Sequence, residues 1–477
     1  MSTRDRSVII TLLVATFVVI LNETIMGVAL PRLMIDLQVS ARTGQWLSTA
    51  FLLTMAVVIP TTGFLLQRLR TRTVFVLAMG LFSAGTLLAA VSPGFWLLLP
   101  ARIVQACGTA IMLPLLMTTI LTLVPIERRG VVMGNVSIAI SVAPAIGPTV
   151  SGVILHFASW RFMFVVVLPI ALAALFFGAR RLVNVGDQGH RKLDVVSVVL
   201  TVPAFGGVVY GLSQLGAPGG GNGVAIGSLA VGAVSLLLFG LRQLRLARAD
   251  GPRDPELAER GPLLDLGAFS FGMFSLSMAL LCIAMVGLFG VIILLPIYLQ
   301  SVHGLGSLQT GLMLLPGGLL MGLLGPVVGR LFDRYGPRGL TVFGSVTLTV
   351  VMWRLSQIEP TTPIWVLVVL HVAMSLALAC LFTPAFTSAL NPLPRHLYSH
   401  GSAILATLQQ VAGAAGTALL VAIMAGRMAT LIGGGADPVQ AQNSGIQTAF
   451  LVGAFISLGA VGCAIFMRSP KPDPGRI

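Results

Sequence analysis

Glu23 is the residue of this sequence whose type and position most clearly suggest chemistry. It lies in the apolar run LLVATFVVILNETIMGVALP, residues 12–31, and about 20 apolar residues are enough to cross a bilayer as a helix. A carboxylate inside such a helix is costly unless it is paired or hydrated. It either locks one helix against another or binds and releases protons. We favour the second role, because almost all of the other acidic residues can be placed in loops or at helix ends.

Arg102 is the second candidate, because it is the only Lys or Arg that falls in the interior of a predicted membrane span and not at its end. Arginine stays charged in proteins, so a buried one must face a partner or water. With a rise of about 1.5 Å per residue, Glu23 lies about 12 Å below Pro31 and Arg102 about 9 Å below Trp96. The two charges are therefore expected at a similar depth, either as a structural salt bridge or, as we prefer, as a functional pair for proton coupling.

Four more polar residues are candidates for the proton or substrate path: Asn22, Gln105, His371 and Gln409. His371 falls at a similar depth in its own span, although such a histidine can equally be a hydrogen-bonded packing residue. Gln409 can equally supply hydrogen bonds inside a cavity or serve packing.

Four large, adaptable side chains are candidates for a cavity lining suited to varied apolar ligands: Met26, Met112, Phe274 and Met278. Packing in the core or against lipid explains each of them equally well. The sequence therefore gives a weaker indication of the substrate residues than of the charged pair.

The composition indicates that membrane helices position these residues. The chain has 56% hydrophobic and 9% charged residues and a mean hydropathy of +0.97, which is typical of a polytopic membrane protein. The net charge of +14 is strung between the apolar runs, which argues against nucleic acid as a partner. The sequence has no phosphate-binding glycine loop, metal-ligand spacing or nucleophile elbow, so we expect neither an enzyme nor a bound metal or cofactor.

The pattern of apolar runs predicts an all-α membrane protein with fourteen transmembrane spans. Six runs come first, two follow, and a polar stretch at 242–266 precedes the last six. We predict that this stretch is an exposed cytoplasmic linker with a possible amphipathic helix. The runs lie at about 8–30, 45–67, 73–92, 96–123, 131–155, 161–179, 193–215, 224–241, 267–299, 308–329, 339–357, 363–386, 400–426 and 446–467.

The distribution of basic residues predicts the orientation of the chain. If the N-terminus is cytoplasmic, 23 of the 29 Lys and Arg residues fall inside and five fall outside, with Arg102 in a span. This asymmetry agrees with the positive-inside rule, and an odd number of spans would destroy it. Both termini are therefore predicted to be cytoplasmic, in a protein of the cytoplasmic membrane.

An internal repeat divides the chain into two similar halves. PTTGFLLQRLRTR (60–72) aligns with PVVGRLFDRYGPR (326–338) at an offset of 266 residues, with five identical positions. Parallel repeats of six spans are typical of alternating-access carriers. We therefore predict six-helix halves at 1–184 and 267–477, with two inserted transmembrane helices and the linker at 185–266.

These motifs resemble those of the major facilitator superfamily, in particular its fourteen-span drug:proton antiporter branch. LNETIMGVALP (21–31) resembles the first-helix signature of that branch, except that Asn22 stands where an Asp is usual and the acid is Glu23. One residue corresponds to about 100° of helix rotation, so Glu23 need not face where the family's acid faces. PARIVQACGTAIMLP (100–114) resembles the fourth-span signature, whose buried arginine is Arg102 here.

The fifth predicted span contains APAIGPTVSG (143–152), which resembles the antiporter signature of the family. Proline kinks a helix, and small residues let a neighbouring helix pack closely, which seals the path on one side. The resemblance implies exchange rather than uptake. The matching positions are Pro144, Gly147, Pro148 and Gly152.

Both copies of the repeat resemble the superfamily's cytoplasmic signature, in which a glycine permits close helix contact and charges latch the two halves. Gln67 replaces the usual acid in the first copy, whereas Asp333 keeps it in the second, so we expect the latch to depend more on the second half. Each arginine alone is explained equally well as a simple determinant of topology. The motif residues are Gly63, Arg68, Arg72, Gly329, Asp333, Arg334 and Arg338.

The resemblance implies a proton-coupled antiporter that exports lipophilic or cationic drugs by alternating access. Its partners would be small-molecule substrates, protons and membrane lipid, and a monomer driven by the proton gradient would need no cofactor. A dedicated exporter of one metabolite, lipid or self-made antibiotic would share every motif. A non-transporting membrane sensor is a further alternative, for which we would expect an added soluble domain.

Overall fold

The computed structural model describes residues 3–39, 41–182, 184, 192–215, 222–248 and 260–468. Within these residues the chain is helical almost throughout. Its one sheet there is a parallel pair of two-residue strands, β1 (Lys192–Leu193) and β2 (Arg260–Gly261). The predicted all-α membrane fold is therefore confirmed.

Each of the fourteen predicted apolar runs is helical. The first six form α1 (Thr3–Asp36), α2 (Ala41–Arg68), α3 (Thr71–Ala90), α4 (Phe95–Leu123), α5 (Arg129–Phe157) and α6 (Arg161–Arg181). The inserted pair consists of α7 (Val195–Thr201), a π-helical turn at Val202–Gly206, α8 (Gly207–Leu215) and α9 (Asn222–Arg248). The last six form α10 (Gly272–Ser301), α11 (Ser307–Tyr335), α12 (Pro337–Leu355), α13 (Ile364–Leu390), α14 (Tyr398–Gly433) and α15 (Pro438–Ile465).

Twelve helical segments in the described part of the chain are long and apolar enough to cross a membrane. The two predicted runs outside this set form α5 and α12, which are helical over the predicted residues. The chain is therefore a multi-pass membrane protein. The count of fourteen spans stays a prediction.

Small residues bring α3 and α4 into direct contact. A Cβ atom added at Gly85 would lie 2.7 Å from the carbonyl oxygen of Ala101, and one added at Gly108 would overlap the backbone at Ala78. Such close approach stabilises helix pairs in membranes, where burial of apolar surface from water does not drive association. It also fixes the position of Arg102 on α4.

The two halves meet along α5 with α11 and along α2 with α14. A Cβ atom added at Gly134 or at Gly329 would overlap the backbone of the opposite helix, so these helices cross in backbone contact. The crossing lies at what we call the arginine-rich end of the bundle, the end that carries residues 68–72, 128–130 and 330–338. The structure is therefore closed at this end.

Only part of the predicted linker at 242–266 is exposed among the residues that the structure describes there, namely Leu244, Arg245, Ala247 and Arg248. α9 continues to Arg248, and Leu263 and Leu264 are buried, with 0% and 4% exposure. Two consecutive leucines are too few to predict a buried segment from the sequence, but they are enough to pack between helices. Residues 249–259 of the predicted linker, and the predicted domain boundary that follows residue 184, lie outside the described residues.

Candidate transport cavity

A cavity of about 780 Å³ lies between the two halves, and Glu23 and Arg102 are both among the residues that line it. Most of its wall is apolar. It extends towards the end of the bundle opposite the arginine-rich end, where Ser48, Gln300 and Leu308 line it. A mainly apolar cavity of this size with a few polar groups suits a drug-sized molecule.

Glu23 reaches the cavity from α1 and is partly exposed there. Among the residues that the structure describes, no ion pair within 4.0 Å joins Glu23 to Arg102. The structural salt bridge considered for these two residues is therefore absent from this structure. Their role as a proton-coupling pair stays a prediction.

Arg102 is 1% exposed and is held by neutral polar side chains. Its Nη1 atom donates hydrogen bonds to Oδ1 of Asn22, at 3.2 Å, and to Oε1 of Gln105. Nε2 of Gln105 in turn donates to Oγ1 of Thr86 at 2.8 Å, and the guanidinium carbon lies 4.1 Å from the centre of the Phe51 ring. The Nε atom of the arginine has no hydrogen-bond partner within the described residues. A buried, charged donor left without a partner favours the approach of an acceptor.

Asn22 and Glu23 point in different directions, because successive residues of a helix are about 100° apart. Asn22 is 1% exposed and faces Arg102, whereas Glu23 faces the cavity. Asn22 and Gln105, which were predicted for the proton or substrate path, are therefore buried partners of Arg102 and do not line the cavity. The sequence could not show this, because helix rotation depends on packing.

His371 and Gln409 line the cavity from the C-terminal half. Nε2 of His371 lies 3.1 Å from the carbonyl oxygen of Leu314, and its Nδ1 has no partner in the described part of the chain. Nε2 of Gln409 donates to the carbonyl oxygen of Leu405 at 3.2 Å. Both side chains thus combine a structural hydrogen bond with a place at the cavity, and their part in transport stays a prediction.

The four predicted lining residues Met26, Met112, Phe274 and Met278 are instead buried in the helix packing and do not line the cavity. In membrane helices every face is apolar, so composition alone does not tell which face meets a cavity. Other methionines and phenylalanines take this role: Phe51, Met55, Met285, Phe289, Met321 and Met374.

The antiporter motif packs against α1 beside Glu23. A Cβ atom added at Gly147 would overlap Oγ1 of Thr24, which lies 3.0 Å from the carbonyl oxygen of Leu21 in its own helix and 3.4 Å from that of Ala143 in α5. The close packing expected from the motif is therefore present at Gly147. Its effect on antiport stays a prediction.

The other positions of this motif differ from Gly147. A Cβ atom added at Gly152 would meet no atom of the described residues within 4 Å, and Gly152 lines the cavity together with Pro144. The side chain of Pro148 lies outside the described residues. Close packing thus belongs to one glycine of the motif, while Gly152 leaves open space.

Asp333 joins the two halves at the arginine-rich end. Its carboxylate accepts hydrogen bonds from the backbone N–H groups of Gly130, at 2.9 Å, and Val131, at 3.0 Å, in the first turn of α5. The first N–H groups of a helix lack partners within the helix and carry a positive partial charge, which favours a carboxylate. The latch expected in the second half therefore runs from a carboxylate to a helix start rather than to an arginine side chain.

The first copy of the motif contributes close contacts and a neutral hydrogen bond. A Cβ atom added at Gly63 would lie 2.9 Å from the carbonyl oxygen of Leu263 and 3.1 Å from Nδ1 of His400. Nε2 of Gln67, which stands in place of the usual acid, donates to the carbonyl oxygen of His396 at 2.9 Å. Through Gly63 and Gln67, the first copy thus contacts the second half by close packing and a neutral hydrogen bond.

The motif arginines have varied surroundings. Arg72 lies with Arg180 in a groove on the outer face of the N-terminal half, and Arg334 stacks over the neighbouring tyrosine ring at 5.2 Å. Arg338 is exposed near the start of α12, and Arg68 ends α2, where a cation meets the negative end of the helix. These positions agree with the interpretation of Arg72, Arg334 and Arg338 as determinants of topology.

Arg129 is a contact between the halves that the motifs did not reveal. It is 4% exposed, and its guanidinium donates to Oδ1 of Asn391 and to the hydroxyl of Tyr398, each at 3.1 Å. In the sequence it counts only as one of many basic residues. A weak similarity between Pro125…Gly134 and Pro392…Gly401 was a signal available in the sequence, because Arg129 and Tyr398 lie within these two segments.

Two helical halves around a central cavity that is closed at one end define a membrane carrier. The family model described as Major Facilitator Superfamily matches residues 12–417, and the chain belongs to that superfamily. It is a transporter and not an enzyme.

Known relatives agree with this family. The chain is 40% identical over 475 residues to the lincomycin resistance protein LmrB of Bacillus subtilis (strain 168), covering 98% of this chain and 96% of that protein. It is 28% identical over 407 residues to the multidrug export protein EmrB of Haemophilus influenzae, covering 85% and 78%. Its fold resembles the crystal structure of the human organic anion transporter MFSD10 (TETRAN), with a TM-score of 0.69, 16% identity and coverage of 97% and 100%.

Proposed function

We propose that this transporter is a proton-coupled antiporter that exports lipophilic and cationic compounds across the cytoplasmic membrane by alternating access. The observation that carries the proposal is Glu23, a carboxyl group on the wall of a mainly apolar cavity between the halves. The names of the relatives, lincomycin resistance and multidrug export, support drug efflux. We further propose a monomer that is driven by the proton gradient without a cofactor.

The proposed orientation places the arginine-rich end and both termini in the cytoplasm, following the positive-inside rule. The present structure, which is closed at the arginine-rich end, is then the state whose cavity faces outwards. Glu23 takes a proton from outside in this state, and the neutral carboxyl no longer attracts a cationic substrate, which leaves. When the arginine-rich end opens, the proton is lost to the cytoplasm and the carboxylate attracts the next substrate.

Arg102 contributes a fixed positive charge to this cycle. Its hydrogen bonds to Asn22 and Gln105 keep it in place whether or not Glu23 is charged. A positive charge beside the neighbouring residue Asn22 favours the ionised carboxylate of Glu23, which is otherwise costly in a membrane. Arg102 thus helps Glu23 to release its proton without forming a direct ion pair.

The proton gradient is sufficient for such export. One charge that crosses about 100 mV contributes about 2.3 kcal/mol, and one pH unit contributes about 1.4 kcal/mol. Together, about 3.7 kcal/mol corresponds to roughly a 500-fold gradient of a neutral substrate. Exchange of one proton for one monovalent cation cancels the voltage contribution, so only the pH contribution, about tenfold per unit, remains.

We propose substrates that combine an apolar body with a positive charge. Phe51, Met285 and Phe289 on the wall offer polarisable surfaces that adapt to different shapes, and Glu23 supplies the negative charge. A dedicated exporter of a single compound would use the same site. The breadth of the substrate range therefore has to be measured.

The test is transport into everted membrane vesicles with an acidic interior. We expect the vesicles to accumulate a fluorescent lipophilic cation, and we expect nigericin, which collapses the pH gradient, to stop the accumulation. Accumulation that survives the loss of the gradient would contradict proton coupling. Transport of only one compound from a broad panel would favour a dedicated exporter.

A further inference from the structure

Residues 260–264, which we call the strap, lead from the inserted helices to the seam between the two halves. The strap begins with β2 and continues to Leu263 and Leu264, which are buried. Buried backbone outside helices and sheets needs hydrogen-bond partners inside the protein, so connecting segments normally run over the surface. The helix α8 of the inserted pair packs on both α2 and α14, one helix from each half.

Gln243 of α9 supplies the partners that the strap needs. Its side chain is fully buried, and its Oε1 atom accepts hydrogen bonds from the N–H groups of Leu263, at 2.8 Å, and Leu264, at 3.3 Å. Its Nε2 atom donates to Oγ of Ser197 in α7 at 2.8 Å. One side chain therefore ties the strap to both inserted helices.

Asp194 secures the other end of this network. It is fully buried before α7, accepts hydrogen bonds from the N–H and hydroxyl groups of Ser197, and forms a bidentate pair with Arg242 at 2.6 and 2.7 Å. Arg260, at the start of the strap, lies 3.4 Å from the same carboxylate. Bidentate arginine–carboxylate pairs fix geometry well, so the strap and the inserted helices form one unit.

The far end of the strap lies between the halves. The carbonyl oxygen of Leu263 accepts a hydrogen bond from Nδ1 of His400 in α14 at 3.1 Å. The same oxygen lies against Gly63 of α2, where it would be 2.9 Å from an added Cβ atom. Leu263 thus sits where α2 and α14 must separate if the arginine-rich end opens.

We infer that the strap is a clip that holds the arginine-rich end closed, and that Gln243 is the residue that positions it. When this end opens, Gly63 moves away from His400. This movement either breaks the hydrogen bond between His400 and the carbonyl oxygen of Leu263 or moves the inserted helices together with the strap. The two inserted helices then influence the ratio of closed to open molecules. They do so from outside the cavity, since none of their described residues lines it. The inference rests on the alternating-access part of the proposed function and not on proton coupling.

The test measures the distance across the arginine-rich end. Spin labels are attached at Arg70→Cys and Arg395→Cys, two exposed positions in different halves, after the four native cysteines have been replaced. Double electron–electron resonance is recorded in proteoliposomes without substrate or pH gradient, so that a failure of proton coupling leaves the result unaffected. The variant is Gln243→Met, which keeps a similar volume without the hydrogen bonds.

The matched control is Gln447→Met. Nε2 of Gln447 also donates a hydrogen bond to the backbone, to the carbonyl oxygen of Ile358 at 2.7 Å. Both residues lie within the C-terminal half and away from the strap. We expect Gln243→Met to raise the ratio of open to closed molecules about tenfold, because two backbone hydrogen bonds are lost, and Gln447→Met to leave the ratio unchanged. An equal shift in the control would overturn the inference.

A second variant covers the case in which Gln243→Met does not fold. His400→Leu leaves the inserted helices intact and removes the same link from the other side, so it should also widen the distance. The double variant should shift the ratio no further than the larger single change, because both substitutions break one link. Unchanged distances in folded His400→Leu protein would overturn the inference.

Discussion

Asn22, and not the adjacent Glu23, receives the hydrogen bond of Arg102. Asn22 holds the arginine in place, while Glu23 faces the cavity. In a direct ion pair with Arg102, Glu23 would have to do both. Glu23 can therefore gain or lose a proton without taking a hydrogen bond from Arg102. It follows that Glu23 should tolerate substitution better than Arg102 does.

The first prediction is that Glu23→Gln inserts and folds normally but loses pH-gradient-driven export, because the amide keeps the shape and cannot titrate. Accumulation in everted vesicles should fall to background. Glu359→Gln, at an exposed acid outside the cavity, serves as the control and should transport normally. Full active transport by Glu23→Gln would remove this residue from the mechanism.

The second prediction is that Arg102→Met lowers stability, because the buried oxygens of Asn22 and Gln105 lose their donor. A buried polar group without a partner costs about 1–3 kcal/mol. The additional change Glu23→Gln should not restore stability, because those oxygens stay unpaired. If thermal unfolding in detergent shows a fully stable double variant, the main task of Arg102 is to neutralise Glu23.

The third prediction concerns the pH profile of export in the Arg102 variants. Without the positive charge, the ionised form of Glu23 loses a favourable interaction, so Arg102→Met should export best in a more alkaline medium than the unmodified protein. Arg102→Lys keeps the charge and should keep the optimum even if less protein folds. A normal profile for Arg102→Met, with only less protein in the membrane, would favour a purely structural role.

The fourth prediction is that Gly329→Ala destabilises the closed arginine-rich end, because the new methyl group would overlap the backbone of α5 at Gly130. Overpacking of this kind costs about 1–3 kcal/mol, and the spin-label distance across this end should widen accordingly. Gly339→Ala is the control, since nothing lies within 4 Å of a Cβ atom there. Equal distances in the two variants would contradict the close crossing of α5 and α11.

The fifth prediction uses the pH dependence of stability. Burial raises the pKa of Asp194, but the hydrogen bonds and charge of Arg242 and the hydrogen bonds of Ser197 outweigh it and hold the pKa well below its usual range. A lowered pKa in the folded state stabilises the protein above the unfolded pKa of about 3.9, and this contribution disappears as the pH falls through the folded value.

The thermal midpoint of the unmodified protein should therefore exceed that of Asp194→Asn by a constant amount from about pH 5 to 7, and the difference should shrink below about pH 4. Asp36→Asn is the control, because its pair with Arg32 is an exposed contact within one helix, where such pairs contribute little. A difference that grows in acid would contradict the assignment.

Much of this architecture was determined by the sequence alone. The length of each apolar run fixes where a helix can cross a bilayer, and all fourteen predicted runs are helical. Only one acid and one arginine lie in the interior of the predicted spans, away from their ends, and this is enough to identify Glu23 and Arg102 as unusual, because each charge is costly in the membrane. The repeat around Gly63 and Gly329 likewise indicated two equivalent halves and the place where they meet.

Only the tertiary structure decided how these residues are arranged. A helix that is apolar on every face gives no signal of its rotation, so the choice between Asn22 and Glu23 as the partner of Arg102, and between buried and lining methionines, depended on packing. The contacts of Asp333 with α5 and of Leu263 with His400 join residues more than 100 positions apart. Such contacts are determined by how the halves and the inserted helices fit together, and local sequence patterns carry no record of that fit.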